Sequence, residues 1–183
     1  KKEIHTIELG QLGHPDNLAK LRRVFTDPES FKPTLTTWKL TEQVAADFAK
    51  IADWLRQRKH DPHTAAHFLM KCAFCLFAED VKLLPERLFT KLLDRGRDDP
   101  DKLTGRLTEL FSTMRSGGDF GTESIDWFNG GLFDDSPALK LNATEINTML
   151  VAAQHDWGAV EPAIFGTLFE RSLDESKRSQ IGA

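Results

Sequence analysis

The sequence has little of what marks several large classes of protein. Its two cysteines, Cys72 and Cys75, lie in one apolar, helix-like segment in which they cannot easily bridge each other. No apolar run approaches the length needed to cross a bilayer, and Lys1-Lys2-Glu3 does not open a signal peptide. These absences argue against a disulfide scaffold and a membrane span, and they favour a reducing, cytoplasmic location.

Positive charge is not in excess either. The 24 lysines and arginines are outnumbered by 28 aspartates and glutamates, which gives a net charge of -4. DNA contact would therefore require a local basic patch rather than a general attraction. The chain begins at Lys1 without a methionine and ends on Gly182-Ala183 with no closing pattern. We expect it to be a segment of a longer polypeptide.

Motifs of self-contained catalysis are also missing from the sequence. It has no G-x-S-x-G, no phosphate-binding loop and no G-x-G-x-x-G. The glycine-rich stretch 117–121 follows a helical pattern instead of a strand, so it lacks the context for dinucleotide binding. Asp98-Asp99 and Asp134-Asp135 stand in turn-like segments, where solvation explains them. We predict no catalytic residue in this chain.

Helical periodicity dominates what is present, and it predicts a mainly α fold. Helices are predicted over 16–25, from an N-cap at Thr41, over about 62–80, over 88–93, over 103–114, from a capping box at Asn142 and Glu145, and from Glu161-Pro162. Glu3 to Leu9 alternates weakly, as a strand would.

The segment over about 62–80 is predicted to be a buried central helix in a multi-helix, bundle-like domain. Asp61-Pro62 is a typical helix start, and the segment is apolar almost all round. Apolar faces over 44–55 and 103–114 would pack against it. A short irregular or hairpin segment is predicted near 119–141, because Asn129-Gly130-Gly131 is a turn signal.

A metal site is one interpretation of the start of this central helix. The candidate ligands are of the types that zinc prefers: His60, His63, His67, Cys72 and Cys75. At about 100° per residue, His63 and His67 point within about 40° of each other, whereas Cys72 points to nearly the opposite side. One ion could not gather all of them, so we predict no metal site and interpret the cysteines as small core residues.

The densest basic cluster in the sequence is formed by Arg56, Arg58 and Lys59, followed by His60. Cations at a helix C-terminus are favoured by the helix dipole, which is an ordinary structural explanation. Contact with the DNA backbone is the functional alternative. A second, weaker cluster lies near the end of the chain and comprises Arg171, Lys177 and Arg178.

Four phrases in sequence go further than periodicity. They are FLMKCAFCLFAEDVKLLP at 68–85, FSTMRSGGDFG at 111–121, FNGGLFDD at 128–135, and DWGAVEPAIFGTLFERSLDESKRSQIGA at 156–183. Together they resemble the MmeI-like family of restriction-modification proteins, in which a nuclease and an adenine-N6 DNA methyltransferase are fused in one chain. The resemblance covers most of the sequence from about residue 14.

The resemblance implies that this chain is the helical spacer between the two modules, with duplex DNA as the parent's partner. Residues 1–40 would be a connecting segment, 41–141 the spacer, and 142–183 the helical lead into the methyltransferase. In the family, the segment that ends here at Gly182-Ala183 continues into a His-Tyr-Thr stretch that helps bind S-adenosylmethionine. That stretch and the Asn-Pro-Pro-Tyr catalytic motif are absent from the sequence.

Two other hypotheses stay open at the level of the sequence. One is a helical protein-interaction module with no connection to DNA. The other is a metal-dependent enzyme that uses His63, His67 and a cysteine together with ligands from elsewhere.

Overall fold

The structure, a computed structural model, describes residues 8–26, 34–85, 87–128, 131–135 and 137–160. Over this part of the chain the fold is mainly helical with one small hairpin, which confirms the predicted fold class. The helices are α1 (Pro15–Thr26), α2 (Thr34–Gln57), α3 (Pro62–Asp80), α4 (Leu88–Arg95), α5 (Pro100–Ser116) and α6 (Ala143–Ala152). The strands are β1 (Gly118–Phe120) and β2 (Glu123–Ile125), and short 3₁₀ turns occupy Leu9–Gln11 and Trp157–Ala159. No described helix has the length and apolar character of a membrane span.

Helix α3 is the central element that the sequence predicts. The Asp61 carboxylate accepts a hydrogen bond from the backbone N–H of Thr64 at 2.8 Å, and Pro62 occupies the first turn. Its buried residues include Ala66, Cys72 and Ala78, which lie on different sides of the helix. Helices α2 and α4 and the 3₁₀ turn at 157–159 all pack on α3. The interior of the domain is therefore built around this helix.

Helix α2 begins earlier than the sequence pattern predicts. It starts at Thr34, so the predicted N-cap at Thr41 is wrong and this residue lies inside the helix. No proline or glycine occurs between 34 and 57, and the nearest helix breaker on the N-terminal side is Pro33. Nothing in the sequence therefore stops the helix between Thr34 and Thr41.

Helix α5 begins, like α3, with an aspartate N-cap followed by a proline. The Asp99 side chain accepts from the Lys102 backbone N–H at 3.0 Å, and Pro100 is in the first turn. The connection between α4 and α5 is therefore shorter than the loop that the sequence predicts at 95–100. Gly96 is needed in it, because a Cβ atom there would lie 2.5 Å from Leu103 Cδ2.

Helix α4 has its N-terminal cap supplied by another helix. Its own N-cap residue, Arg87, has φ 55° and makes no capping hydrogen bond through its side chain. Instead the buried Glu79 carboxylate of α3 accepts the Thr90 backbone N–H at 2.9 Å and the Thr90 hydroxyl at 2.6 Å. Burial raises the pKa of Glu79, although both hydrogen bonds oppose that shift. This link holds α3 and α4 together in one block.

The hairpin lies within the predicted segment, but its turn is not at 129–131. Strands β1 and β2 pair antiparallel with Phe120 opposite Glu123, and Gly121 in the turn has φ 63°. Asn129 and Gly130 lie outside the described residues. After the hairpin, the Phe128 backbone N–H donates to Met114 O of α5 at 2.9 Å. Phe133 is then buried and packs against Phe111, with ring centroids 5.8 Å apart and the rings tilted by 40°.

The capping box predicted for α6 is confirmed, with Asn142 and Glu145 each accepting the other's backbone N–H. Helix α6 packs on α2 and α4. The predicted helix from Glu161-Pro162 lies outside the described residues, as does most of the predicted strand at 3–9. The last residue of that predicted strand, Leu9, is in a 3₁₀ turn and is exposed.

Candidate functional site

The predicted DNA-contacting residues lie together at the C-terminal end of α2, but Arg58 is engaged within the protein. Its guanidinium donates to the Glu145 carboxylate at 2.9 Å and to the Lys140 carbonyl at 2.6 Å. Glu145 is fully buried, whereas the Arg58 side chain is about one-third exposed. A buried carboxylate needs a partner of opposite charge, and Arg58 provides it. Arg58 therefore ties the end of α2 to the start of α6.

The other two cations at this end of α2 differ from Arg58. Arg56 forms a half-exposed ion pair with Asp53, one turn earlier on the same helix, at 2.8 Å. Lys59 is exposed and has φ 64°, which ends the helix. The His60 backbone N–H donates back to Leu55 O at 3.1 Å and closes this turn. All three cations stand where the helix dipole favours positive charge.

The candidate metal ligands do not come together. Cys72 and Cys75 are free and fully buried, and burial raises the pKa of both thiols. Cys75 Sγ lies 3.7 Å from Met114 Sδ, inside the core. His63 is exposed at the start of α3. Within the described ranges, no group of three or more histidine, cysteine or acidic side chains is arranged to hold a metal ion.

His67 takes part in a cluster that the sequence does not predict. Its Nδ1 atom lies 3.0 Å from the carboxylate of Asp135, and Lys71 Nζ lies 3.0 Å from the same carboxylate. Lys71 is only 2% exposed, donates also to the backbone carbonyl of Asp135, and sits 5.6 Å from the centre of the Phe111 ring. Lys71 and His67 thus fasten the segment before α6 onto the central helix.

The Asp135 carboxylate has its pKa lowered by this cluster. Partial burial alone would raise the pKa, but the hydrogen bonds from Lys71 and His67 and their charges outweigh it. The folded pKa therefore lies below the usual 3.8. For an acid whose pKa falls on folding, the stabilisation is complete above the unfolded pKa and disappears as the pH falls through the folded pKa.

Acidification is therefore expected to destabilise the wild-type protein more steeply than an Asp135→Asn variant below about pH 3.8. The measurement is the thermal unfolding temperature of both proteins as the pH is lowered from neutrality. The difference should shrink on acidification, because the variant never holds the charge that wild type loses. A constant difference at every pH would contradict the role assigned to Asp135.

The end of the described chain is anchored to the core by Trp157. The Trp157 backbone N–H donates to the Asp80 carboxylate at 2.6 Å, and its indole Nε1–H donates to the Ala152 carbonyl at 2.8 Å. The ring is 1% exposed and meets Phe48 edge to face, with centroids 5.7 Å apart. Val160 is buried as well. We call this arrangement of Phe48, Asp80, Ala152, Trp157 and Val160 the Trp157 anchor.

Sequence patterns missed the polar members of these contacts. Lys71 is the single lysine of the largely apolar segment 62–80. Its position there could have indicated a buried ammonium group, which requires a carboxylate partner. Asp135 was interpreted as an ordinary solvated turn residue, and Asp80 was not singled out. No local signal pairs either of them with Lys71 or with Trp157.

Comparisons with known proteins give a consistent result. Residues 63–133 match the family described as "MmeI, helicase spacer domain". DNA methyltransferase A of Bacillus subtilis (strain 168) is 26% identical over 151 residues, which is 76% of this chain and 17% of that protein. The type IIL restriction-modification enzyme MmeI, solved in complex with DNA, superposes with a TM-score of 0.62 at 26% identity over 74% of this chain and 19% of that one. The chain thus spans less than a fifth of the length of either relative.

Proposed function

Because residues 63–133 carry a helicase spacer domain of the MmeI type, we propose that this chain is the helical spacer between a nuclease module and an adenine-N6 DNA methyltransferase module. Residues 1–40 then connect to the preceding module, 41–141 form the spacer, and 142–183 lead into the methyltransferase. Its partners are these neighbouring modules and, through the parent protein, duplex DNA. A cytoplasmic location is part of the proposal, supported by the two free, buried cysteines.

The Trp157 anchor is the observation that carries this proposal. Two modules that act on one DNA molecule need a defined separation, and the reach of a flexible linker fluctuates with the square root of its length. Here the segment that leaves the helical block is held by hydrogen bonds from Trp157 to Asp80 and to Ala152. The described chain is therefore held against the helical block as far as Val160, and we propose that the lead into the methyltransferase continues from this fixed point.

No catalytic step is proposed for this chain. S-adenosylmethionine would serve the methyltransferase module by providing the methyl group, and Gly182 and Ala183 would border the segment that binds it. A depression among the described residues is lined by Asp80, Arg87, Gln154, His155 and Asp156, and no role for it is part of this proposal.

Backbone DNA contact through Arg56, Arg58 and Lys59 stays a prediction. Arg58 is held by Glu145 and Arg56 by Asp53. A phosphate would compete with these carboxylates, and removing Arg58 from Glu145 would leave a buried charge without its partner. Lys59, which is exposed, is the member of the cluster that we expect to reach DNA without such a cost.

The spacer function is tested by measuring distances within the chain. Spin labels at Ser112→Cys in α5 and Gly158→Cys in the Trp157 anchor should give one narrow distance distribution. Both positions are exposed, and the buried Cys72 and Cys75 should not react with the label because burial raises their thiol pKa values.

A second labelled pair, Ser112→Cys and Gln43→Cys, reports on the helical block alone. A broad distribution for the first pair with a narrow one for the second would show that the exit segment is not anchored, and would overturn the proposal. Narrow distributions for both are the expected result.

A further inference from the structure

The C-terminal end of α3 leaves apolar side chains in contact with solvent. Val81 is 38% exposed and Leu83 is 52% exposed. Phe77, one turn before Val81 on the same side of the helix, is only partly buried. Single exposed apolar side chains are ordinary, whereas several close together are characteristic of a contact surface. We call Phe77, Val81 and Leu83 the α3-end patch.

The turn after α3 holds this patch in a defined position. The Lys82 backbone N–H donates to the Glu79 carbonyl at 3.1 Å, and the Leu83 backbone N–H donates to the Ala78 carbonyl at 2.7 Å. Because Lys82 has φ 64°, these are the two hydrogen bonds of a Schellman motif, which closes a helix C-terminus. In that motif an apolar side chain at the Leu83 position commonly packs on the last turns of its own helix. Here Leu83 stays half exposed, so much of its side chain is open to another segment.

The described chain ends beside this patch. Trp157 donates its backbone N–H to the carboxylate of Asp80, the residue that directly precedes Val81. The 3₁₀ turn that begins at Trp157 packs on α3, and Val160 is buried. Val160 is at most about 11 Å from Trp157, even along a fully extended chain. The segment that follows Val160 therefore starts within reach of the α3-end patch.

The sequence after Val160 has the pattern of an amphipathic helix. Glu161-Pro162 is a typical helix start, and four apolar residues follow at the spacing of one helical face: Ile164, Phe165, Leu168 and Phe169. A helix over 162–171 would be about 15 Å long. Its apolar face would need a surface to cover it, since amphipathic helices are stabilised mainly by packing of that face.

We propose that the apolar face of residues 162–171 folds back onto the α3-end patch, so that the occupant of the patch is the next segment of this same chain. The segment starts beside the patch, and both surfaces are apolar. Lys82, an exposed cation between Val81 and Leu83, also offers opposite charge to Glu161 at the start of the segment. The docking itself does not depend on the spacer function. Its consequence rests on the proposed function: the methyltransferase module would follow a helix that is already fixed to the spacer.

The test is the rate at which a thiol at Leu83→Cys reacts with an uncharged maleimide in the 183-residue chain. The two native cysteines are buried and their pKa values are raised by burial, so they should contribute little. A second chain also carries Phe165→Ser, Leu168→Ser and Phe169→Ser, which remove the apolar face of the segment. The thiol should react about tenfold faster in this second chain, a factor equivalent to about 1.4 kcal/mol of docking free energy.

Two controls make the labelling result specific. Ala163→Ser, Thr167→Ser and Glu170→Gln change the opposite side of the segment at helical spacing, so they should leave the slow reaction unchanged. A thiol at Ser112→Cys, on an exposed position of α5, should react at the same rate with and without the three serine substitutions on the apolar face. Either control behaving like the apolar-face variant would contradict docking at the patch.

The remaining outcomes separate the possible occupants. Fast reaction in both chains would overturn the proposal, because the segment would then leave the patch uncovered. Slow reaction in both chains would also overturn it and would assign the patch to another occupant. Slow reaction that accelerates on dilution would identify a second copy of the chain as that occupant.

Spin-label distances distinguish docking from the Trp157 anchor. In the apolar-face variant the pair at Ser112 and Gly158 should stay narrow, since the anchor is made by residues before 161. A broad distribution there, together with faster labelling, would assign the effect to loss of the anchor and overturn the docking proposal. Fast labelling in both chains with narrow distances would remove the docking proposal and leave the spacer function standing, so the two fail separately.

Discussion

Replacing Trp157 by alanine is expected to reduce the free energy of unfolding by about 3–5 kcal/mol, the range for truncating a large buried aromatic side chain. The indole is 1% exposed and packs edge to face against Phe48. Its removal leaves a cavity beside Phe48 and leaves the Ala152 carbonyl without the indole donor. The free energy of unfolding in urea is the measurement.

Trp127→Ala is the matched control, because Trp127 is 62% exposed. Trp127→Ala should reduce the free energy of unfolding far less than Trp157→Ala does, because it removes little apolar area from the core. A further variant, Trp157→Phe, keeps most of the ring packing but removes the indole N–H. The free energy of unfolding of this variant should lie between those of wild type and Trp157→Ala. Equal effects of the two tryptophan-to-alanine changes would show that Trp157 does not anchor the exit segment.

The Trp157→Ala variant also connects stability with the proposed function. The Ser112 and Gly158 spin-label pair should give a broader distance distribution in this variant, whereas the pair at Ser112 and Gln43 should stay narrow under native conditions. That result would show that the anchor sets the direction of the exit segment, and that its loss leaves the helical block folded.

The second large effect is expected for Arg58→Ala, at about 3 kcal/mol of lost stability. The fully buried Glu145 carboxylate would lose its ion-pair partner, and the Lys140 carbonyl would lose a donor. Removing one member of a buried pair costs more than the pair itself contributes, because an uncompensated charge stays behind. Chemical denaturation again provides the measurement.

Two comparisons make the Arg58 prediction specific. Adding Glu145→Gln to Arg58→Ala should recover part of the loss, since the remaining side chain is then neutral. Lys59→Ala, next to it on an exposed position, should change stability by no more than about 0.5 kcal/mol. If Arg58→Ala were as mild as Lys59→Ala, the Arg58–Glu145 pair would not connect α2 to α6, and Arg58 would again be available as a DNA contact.

Local signals predicted some elements correctly and misplaced others. Asp61-Pro62 marked the start of α3, and Asn142 with Glu145 marked the start of α6, because each cap is made by residues within three positions of each other. The start of α2 was misplaced at Thr41 because a good capping residue does not have to act as a cap. Without a breaker before it, the helix continues back to Thr34.

The candidate site was predicted less well than the fold. Arg58 was predicted as a possible DNA contact, and that stays a prediction; only its position near Glu145 reveals an ion pair inside the protein. Cys72 and Cys75 were correctly interpreted as buried core residues. Lys71 was overlooked in the middle of the same helix, since periodicity sorts residues into faces and does not identify polar partners.

The sequence by itself determined the helical class, the central position of α3, most helix starts and the resemblance to a restriction-modification spacer. These follow from contacts between near neighbours, from apolar faces, and from phrases that can be read in order. Only the tertiary structure decided what the polar groups do: Lys71 bonds to Asp135 across 64 positions, Trp157 to Asp80 across 77, and Arg58 to Glu145 across 87. The physical reason is that a buried charge or N–H must find a partner somewhere in the fold, and the chain's packing in space, rather than its local pattern, chooses which one.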